Sequence, residues 1–228
     1  MTDQVPATDQ VPVSEQLGRR ERNKLEMRRR LATAAAQLFM ERGYDAVSMS
    51  DVAAAAKVAE QTVYNYFPTK PQLVLDRADD FRERSRMAVL DRDPALTPAE
   101  ALGVQVHEDI DRFTSRATSF ARGEFPAQSV ESETFRRYAL EFREQQGDAI
   151  AEAIGVTDPT VNRLVARAHA SALVTVIQAV TDRIGAAILS GADLTTVARD
   201  LHKDATIALT DAAESFRSTA ARSRSSLH

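Results

Sequence analysis

Apolar residues recur along this chain at three- and four-residue intervals, and the runs that keep this period read as amphipathic helices. Leu31, Ala34, Ala35, Leu38 and Phe39 form the first stripe, on a helix from about Arg22 to Arg42 that Gly43 ends. Ser48 and Asp51 make the S-x-x-D pattern of a capping box, so a second helix starts at about Met49 with Val52, Ala53 and Ala56 facing inward. Lys57-Val58-Ala59 is short enough to be the turn, with Val58 as its plug. A third helix covers about Glu60 to Tyr66, and Val63 and Phe67, four apart, lock it to the first through Phe39. Thr69 with Gln72 makes another candidate capping box, Pro71 suits a first turn, and a fourth helix is predicted from about Lys70 to Val89.

Beyond a connection marked by Asp93-Pro94 and Thr97-Pro98, the stripe Leu102, Val106, Ile110, Phe113, Ala117 and Phe120 predicts a core helix that Gly123 and Pro126 break. Helical spacing resumes over 130–154 with Phe135, Tyr138 and Phe142, and Pro159 is placed at the next helix start. Two long helices follow, over 161–189 and 194–216, separated by Ser190-Gly191. No strand-like alternation persists, so the expected fold is all-α: a mobile arm at 1–21, a three-helix module at 22–75, a larger helical body at 76–218 and a flexible tail at 219–228.

Charge changes the picture. The formal net charge is −4, yet residues 19–30 hold seven Lys/Arg against two Glu, whereas 76–228 holds 19 Lys/Arg against 24 Asp/Glu. A basic end on an acidic body suits a protein that touches phosphate at one end only. The outer face of the third helix offers Gln61, Thr62, Asn65 and Tyr66, and Gln and Asn are the side chains that bridge the major-groove edge of adenine. The chain has no cysteine, which excludes disulfides and thiolate metal sites. No apolar run approaches the roughly 18 residues of a membrane span, and no signal-like leader is evident, so a cytoplasmic protein without a membrane partner is expected.

The stretch ATAAAQLFMERGYDAVSMSDVAAAA at 32–56, followed by AEQTVYNYFPTKPQLV at 59–74, makes residues 22–75 resemble the DNA-binding domain of the tetracycline-repressor (TetR) family. The resemblance implies a homodimeric repressor whose third helices enter successive major grooves of a palindromic double-stranded operator. It assigns base reading to Gln61, Thr62 and Asn65, and phosphate positioning to Ser48, Tyr64, Tyr66 and Lys70. For Tyr64 the other reading is a ring packed within the module. Two positions depart from the family pattern: Lys57 stands where glycine is common, and Ala59 where Ser or Thr caps the recognition helix. Lys57 is read either as a DNA-binding residue that attracts phosphate or as a solvated turn side chain.

The resemblance also implies a dimer interface over 159–189 and 194–217, and a small organic effector held between the helices of the body. Phe113, Phe120, Phe142 and His169 are its candidate contacts, with ordinary core packing as the competing reading. His107, His169 and His202 lie far apart in sequence and no metal or other cofactor is expected. No phosphate-cradling glycine loop, H-E-x-x-H or nucleophile elbow is present, so an enzyme is not expected. The alternatives are a helical interaction protein or an activator without small-molecule induction, and after those a helical enzyme.

Overall fold

The computed structural model describes residues 18–115 and 121–225, and every regular element among them is helical. Helix α1 (Arg19–Arg42) buries Leu31, Ala35, Leu38 and Phe39 and ends at Gly43, whose φ of 78° suits a residue without a Cβ. It begins at Arg19, inside the segment expected to be an arm, while residues 1–17 lie outside the described residues. Helix α2 (Met49–Ala55) has the expected capping box: the Ser48 hydroxyl accepts from the Asp51 amide at 3.1 Å, and the Asp51 carboxylate accepts from the Ser48 amide at 2.7 Å. Helix α3 (Glu60–Tyr66) places Val63, with Phe67 just beyond it, against Phe39 in one core, all essentially inaccessible.

The expected fourth helix is two helices, α4 (Pro71–Val74) and α5 (Ala78–Leu90). Leu73, Val74 and Leu75 all pack on the module core, and three consecutive positions cannot share one face of a continuing helix. Arg28 holds the bend from outside, with its Nε 2.5 Å from the Asp76 carboxylate. The second capping box is half made: the Gln72 side chain accepts from the Thr69 amide, but no side chain caps α4.

The body comprises α6 (Pro98–Ser115), α7 (Phe125–Glu131), α8 (Glu133–Thr157), α9 (Arg163–Ser190) and α10 (Leu194–Ser225). Its core joins Leu102, Val106 and Ile110 of α6 to Ile150 and Ile154 of α8, Leu173 and Ile184 of α9, and Leu201 of α10. Arg92 ties the end of α5 to the end of α8, with its buried guanidinium 2.5 Å from Asp158. Ala117 and Phe120 lie outside the described residues, so the stripe is followed only to Phe113. Short α7 was not foreseen. Pro159 does not open α9; Asn162 does, its side chain accepting from the Leu164 amide at 2.8 Å. Helix α10 continues through the expected tail because Phe216 and Ala220 extend its buried stripe. By length and composition α9 is long and apolar enough to cross a membrane, but here it packs against α6, α7, α8 and α10.

Two glycines let backbones meet where α7 is wedged in. A Cβ on Gly123 would sit 1.8 Å from the Ala36 carbonyl oxygen of α1, and one on Gly185 of α9 would sit 1.9 Å from the Pro126 carbonyl oxygen. Neither obstacle is a side chain that can rotate away. The segment 123–126 is therefore held between the module and the longest apolar helix of the body.

Candidate functional site

The turn between α2 and α3 takes the left-handed conformation at Lys57, with φ 54°. Ala59 precedes α3 and offers no side-chain acceptor to its orphan amides. Restoring the small residue and the cap gives a direct check. Lys57→Gly and Ala59→Ser are each expected to add roughly 1 kcal/mol of stability. Urea denaturation should show both midpoints rising; an unchanged Lys57→Gly midpoint would mean that the turn carries no strain.

Gln61 and Asn65 stand exposed on the outer face of α3 and are already paired, with Gln61 Nε2 3.1 Å from Asn65 Oδ1. Thr62 is half-buried beside them, and Tyr64 is 41% exposed. The inner side of the motif is fastened to α1 at both ends. Arg28 donates to the Tyr66 carbonyl at 3.1 Å and lies over the Phe67 ring, while Arg30 donates to the Ala56 carbonyl. Two cations of the basic run thus hold the end of α2 and the end of α3 in place. Ser48 is exposed at the start of α2, and Lys57 is exposed in the turn. Tyr66 and Lys70 are less outward than the sequence suggests. The Tyr66 ring is partly buried against the module core. Lys70 Nζ lies 4.2 Å from the Tyr44 ring centroid, and this half-burial pushes its ammonium below the usual lysine range.

Between α1 and the body lies a cavity of about 290 Å³ that no stretch of sequence announces, because its walls come from α1, α4, α5, α6, α8, α9 and the segment leading into α7. Of the candidate effector contacts, Phe113 and Phe142 line it, joined by Phe81 and Phe125. Phe120 lies outside the described residues. His169 is not a wall: it is buried between α9 and α10 with its ring 4.7 Å from that of Phe216. Burial, only partly opposed by Asp158, pushes its imidazole down to about 4. Ala32 and Ala36 of α1 belong to the wall, so an occupant touches the amino-terminal module itself.

The cavity's polar groups fall into two sets. Ser85 Oγ accepts from Gln105 and Gln146 at 3.0 and 2.9 Å, a neutral buried knot. Asp109 is shared between Arg84 at 2.8 Å and Arg112 at 3.5 Å, and Arg143 is held by Asp182 at 2.7 Å. Burial pushes the Asp109 carboxyl up, and the two guanidiniums beside it pull it down.

Two of the three interior histidines do meet, across 95 residues of sequence. His107 and His202 stack at 4.9 Å with their Nδ1 atoms 2.7 Å apart, and His202 Nε2 faces the Asp111 carboxylate at 2.8 Å. The carboxylate is on the far nitrogen, so the donors do not converge. Among the described residues no group of three or more His, Asp or Glu is placed to hold a metal.

Module and body share core residues at their junction. Phe135 and Ala139 of α8 are buried in the module's cluster; the Phe135 ring lies 5.2 Å from Tyr44, and Ser132 Oγ lies 3.3 Å from the Asp45 carboxylate.

Residues 31–76 match the model of the bacterial regulatory proteins, tetR family, a stretch that spans the helix-turn-helix and α4. Solved structures share the fold over most of the chain. NalD of Pseudomonas aeruginosa, the secondary repressor of the MexAB-OprM multidrug efflux pump, is 17% identical with a TM-score of 0.54, over 81% of this chain and 97% of its own. SmeT, solved as a triclosan complex, is 16% identical with a TM-score of 0.54, over 82% of this chain and 90% of its own. A TetR-family regulator from Streptomyces coelicolor A3 is 23% identical with a TM-score of 0.51, over 85% of this chain and 99% of its own. At these identities the likeness is one of fold: an amino-terminal helix-turn-helix module joined to a helical body. No curated protein sequence matches the chain.

Proposed function

We propose that this chain is a sequence-specific DNA-binding transcriptional regulator, a cytoplasmic homodimeric repressor that a small organic molecule releases from a palindromic operator. The observation that carries it is the outer face of α3, where Gln61 and Asn65 stand paired and exposed on a helix whose last residue Arg28 of α1 holds. The tetR-family match over the same residues supports a DNA-binding regulator. Gln61, Thr62 and Asn65 read base edges; Ser48, Tyr64, Tyr66, Lys70 and the turn residue Lys57 position phosphate.

Selection of duplexes from a random pool, followed by salt titration of the winners, tests this division. Gln61→Ala or Asn65→Ala should lose discrimination at particular base pairs, about 1–3 kcal/mol for each bidentate contact. Lys70→Ala should weaken all sequences alike and flatten the salt dependence by about one unit of slope. Failure to enrich any palindromic site would reject the proposal.

For the second copy, α9 offers an exposed stripe of Leu164, Ala168, Ala172, Ala179 and Ala186, and Leu164 is 77% exposed. On α10 Ile207 adds apolar surface at 59% exposure. Small residues let helices approach closely, and a twofold pairing of α9 and α10 presents two reading helices at once. Sedimentation at micromolar concentration should give twice the 25.0 kDa chain mass. A monomer would remove this interface.

The effector belongs in the cavity between α1 and the body, since an occupant there contacts both together. Release requires it to favour the dimer geometry that fits the operator poorly, because equal affinity for both states shifts nothing.

A further inference from the structure

The cavity's charges are unevenly matched. Asp109 is one carboxylate between two guanidiniums, and Arg84 has the closer contact. Arg112 is left at 3.5 Å, and its Nη1, the very nitrogen that faces Asp109, is buried without a hydrogen-bond partner. An unpaired donor of this kind is costly to leave unmade, and more so on a charged group. Burial pushes the Asp109 carboxyl up, against the pull of the two guanidiniums. Arg143, the other buried guanidinium on the wall, is engaged by Asp182 and lies over Phe125. Gln105 and Gln146 are neutral and already donate to Ser85. The rest of the lining has the apolar Phe81, Phe113, Phe142 and Val106, with Asp76 and Glu124 among its charged groups.

We infer that the ligand of this cavity is a small amphipathic organic anion, an apolar ring-sized body bearing one carboxylate or sulfonate that Arg112 receives. The inference rests on the reading of the cavity as the effector site and specifies the chemistry of that effector. A neutral ligand of the same shape leaves Arg112 without a hydrogen bond, and a cationic one meets a guanidinium that shares its one carboxylate with Arg84. An anionic head supplies the missing acceptor and a second negative charge for the two guanidiniums, while the phenyl rings take the body. The volume, about 290 Å³, sits at the small end of the range for organic ligands and accepts a bicyclic body with one side group.

A matched pair of fluorescent probes tests it on the full chain: anilinonaphthalene sulfonate, an aromatic monoanion, and phenylnaphthylamine, its neutral counterpart. Wild type should bind the sulfonate about 10- to 100-fold more tightly than the amine, the range expected of a hydrogen bond between charged groups. Arg112→Gln should erase that preference without changing the affinity for the amine. Arg112→Lys should keep most of it. Thr181→Trp, which places an indole at a half-buried wall position, should weaken both probes and so locate them in the cavity. Equal affinity of wild type for the two probes, or a preference that survives Arg112→Gln, overturns the anionic assignment and leaves the cavity a ligand site. Absence of binding by either probe overturns the effector-cavity reading and this inference with it. Should Arg112→Gln fail to fold, the wild-type pair and the lysine variant decide the question.

Discussion

Phe135→Ala should remove about 3–5 kcal/mol of stability, the usual cost of hollowing a core at a fully buried phenylalanine. Phe135 belongs to α8, yet its ring fills the module's core between Tyr44 at 5.2 Å and Phe125 at 5.9 Å. Nothing nearby can collapse into the void, since Phe39, Val52, Val63 and Phe67 are themselves fully packed. Because the cavity opens at the seam between module and body, operator affinity should fall as well. Tyr138→Ala is the internal control: that ring lies on the exposed side of α8, and its loss should change stability by less than about 0.5 kcal/mol. The chain has no tryptophan, so urea unfolding followed by far-ultraviolet circular dichroism is the measurement. If Phe135→Ala cost no more than Tyr138→Ala, module and body would not share a core.

The same residue marks where sequence reading stops. The helix-turn-helix was legible because everything that builds it is local: the Ser48–Asp51 box spans three residues, the Lys57 turn follows from the length of the gap, and Val63 with Phe67 is one helical step. Phe135 also lay in a recognisable stripe. Which core that stripe enters depends on an approach between α8 and the loop after α1, and no periodicity encodes it. The break at Leu75 has the same origin, since Arg28 grips Asp76 from 48 residues away. The cavity was half legible: Phe113 and Phe142 were visible as stripe residues on α6 and α8, but Phe81, Phe125, the α1 wall and the Arg84–Asp109–Arg112 arrangement are products of tertiary packing. His169 shows the converse error. A histidine on an apolar face drew attention as a ligand contact, and the structure spends it on packing against Phe216.

That buried histidine should make the protein acid-sensitive in a defined window. Burial pushes His169 down to about 4 from an ordinary 6.5, and the nearby Asp158 charge only partly offsets this. An unfolded chain takes up the proton near 6.5, while the folded chain refuses it until about 4. The unfolded state therefore binds more protons throughout that interval. The stability contribution is complete above about pH 6.5, falls as the pH is lowered, and flattens below about pH 4. The expected loss is about 2 kcal/mol by pH 5 and at most about 3 kcal/mol in all. His107, which burial and the adjacent His202 also hold below the usual imidazole range, acts in the same direction. Asp51 and Asp193 lie below the ordinary carboxylate range because each accepts several hydrogen bonds, so their contributions disappear at more acid pH. Asp109, which burial raises, opposes the trend as it takes up its proton in the folded state first. Urea midpoints measured at intervals from about pH 7 to 4.5 give the slope, and His169→Leu, which fills similar space without a titrating group, should remove most of it. A wild-type midpoint that stays constant across the interval would mean that water reaches the His169 ring and that α9 and α10 part there more readily than their packing implies.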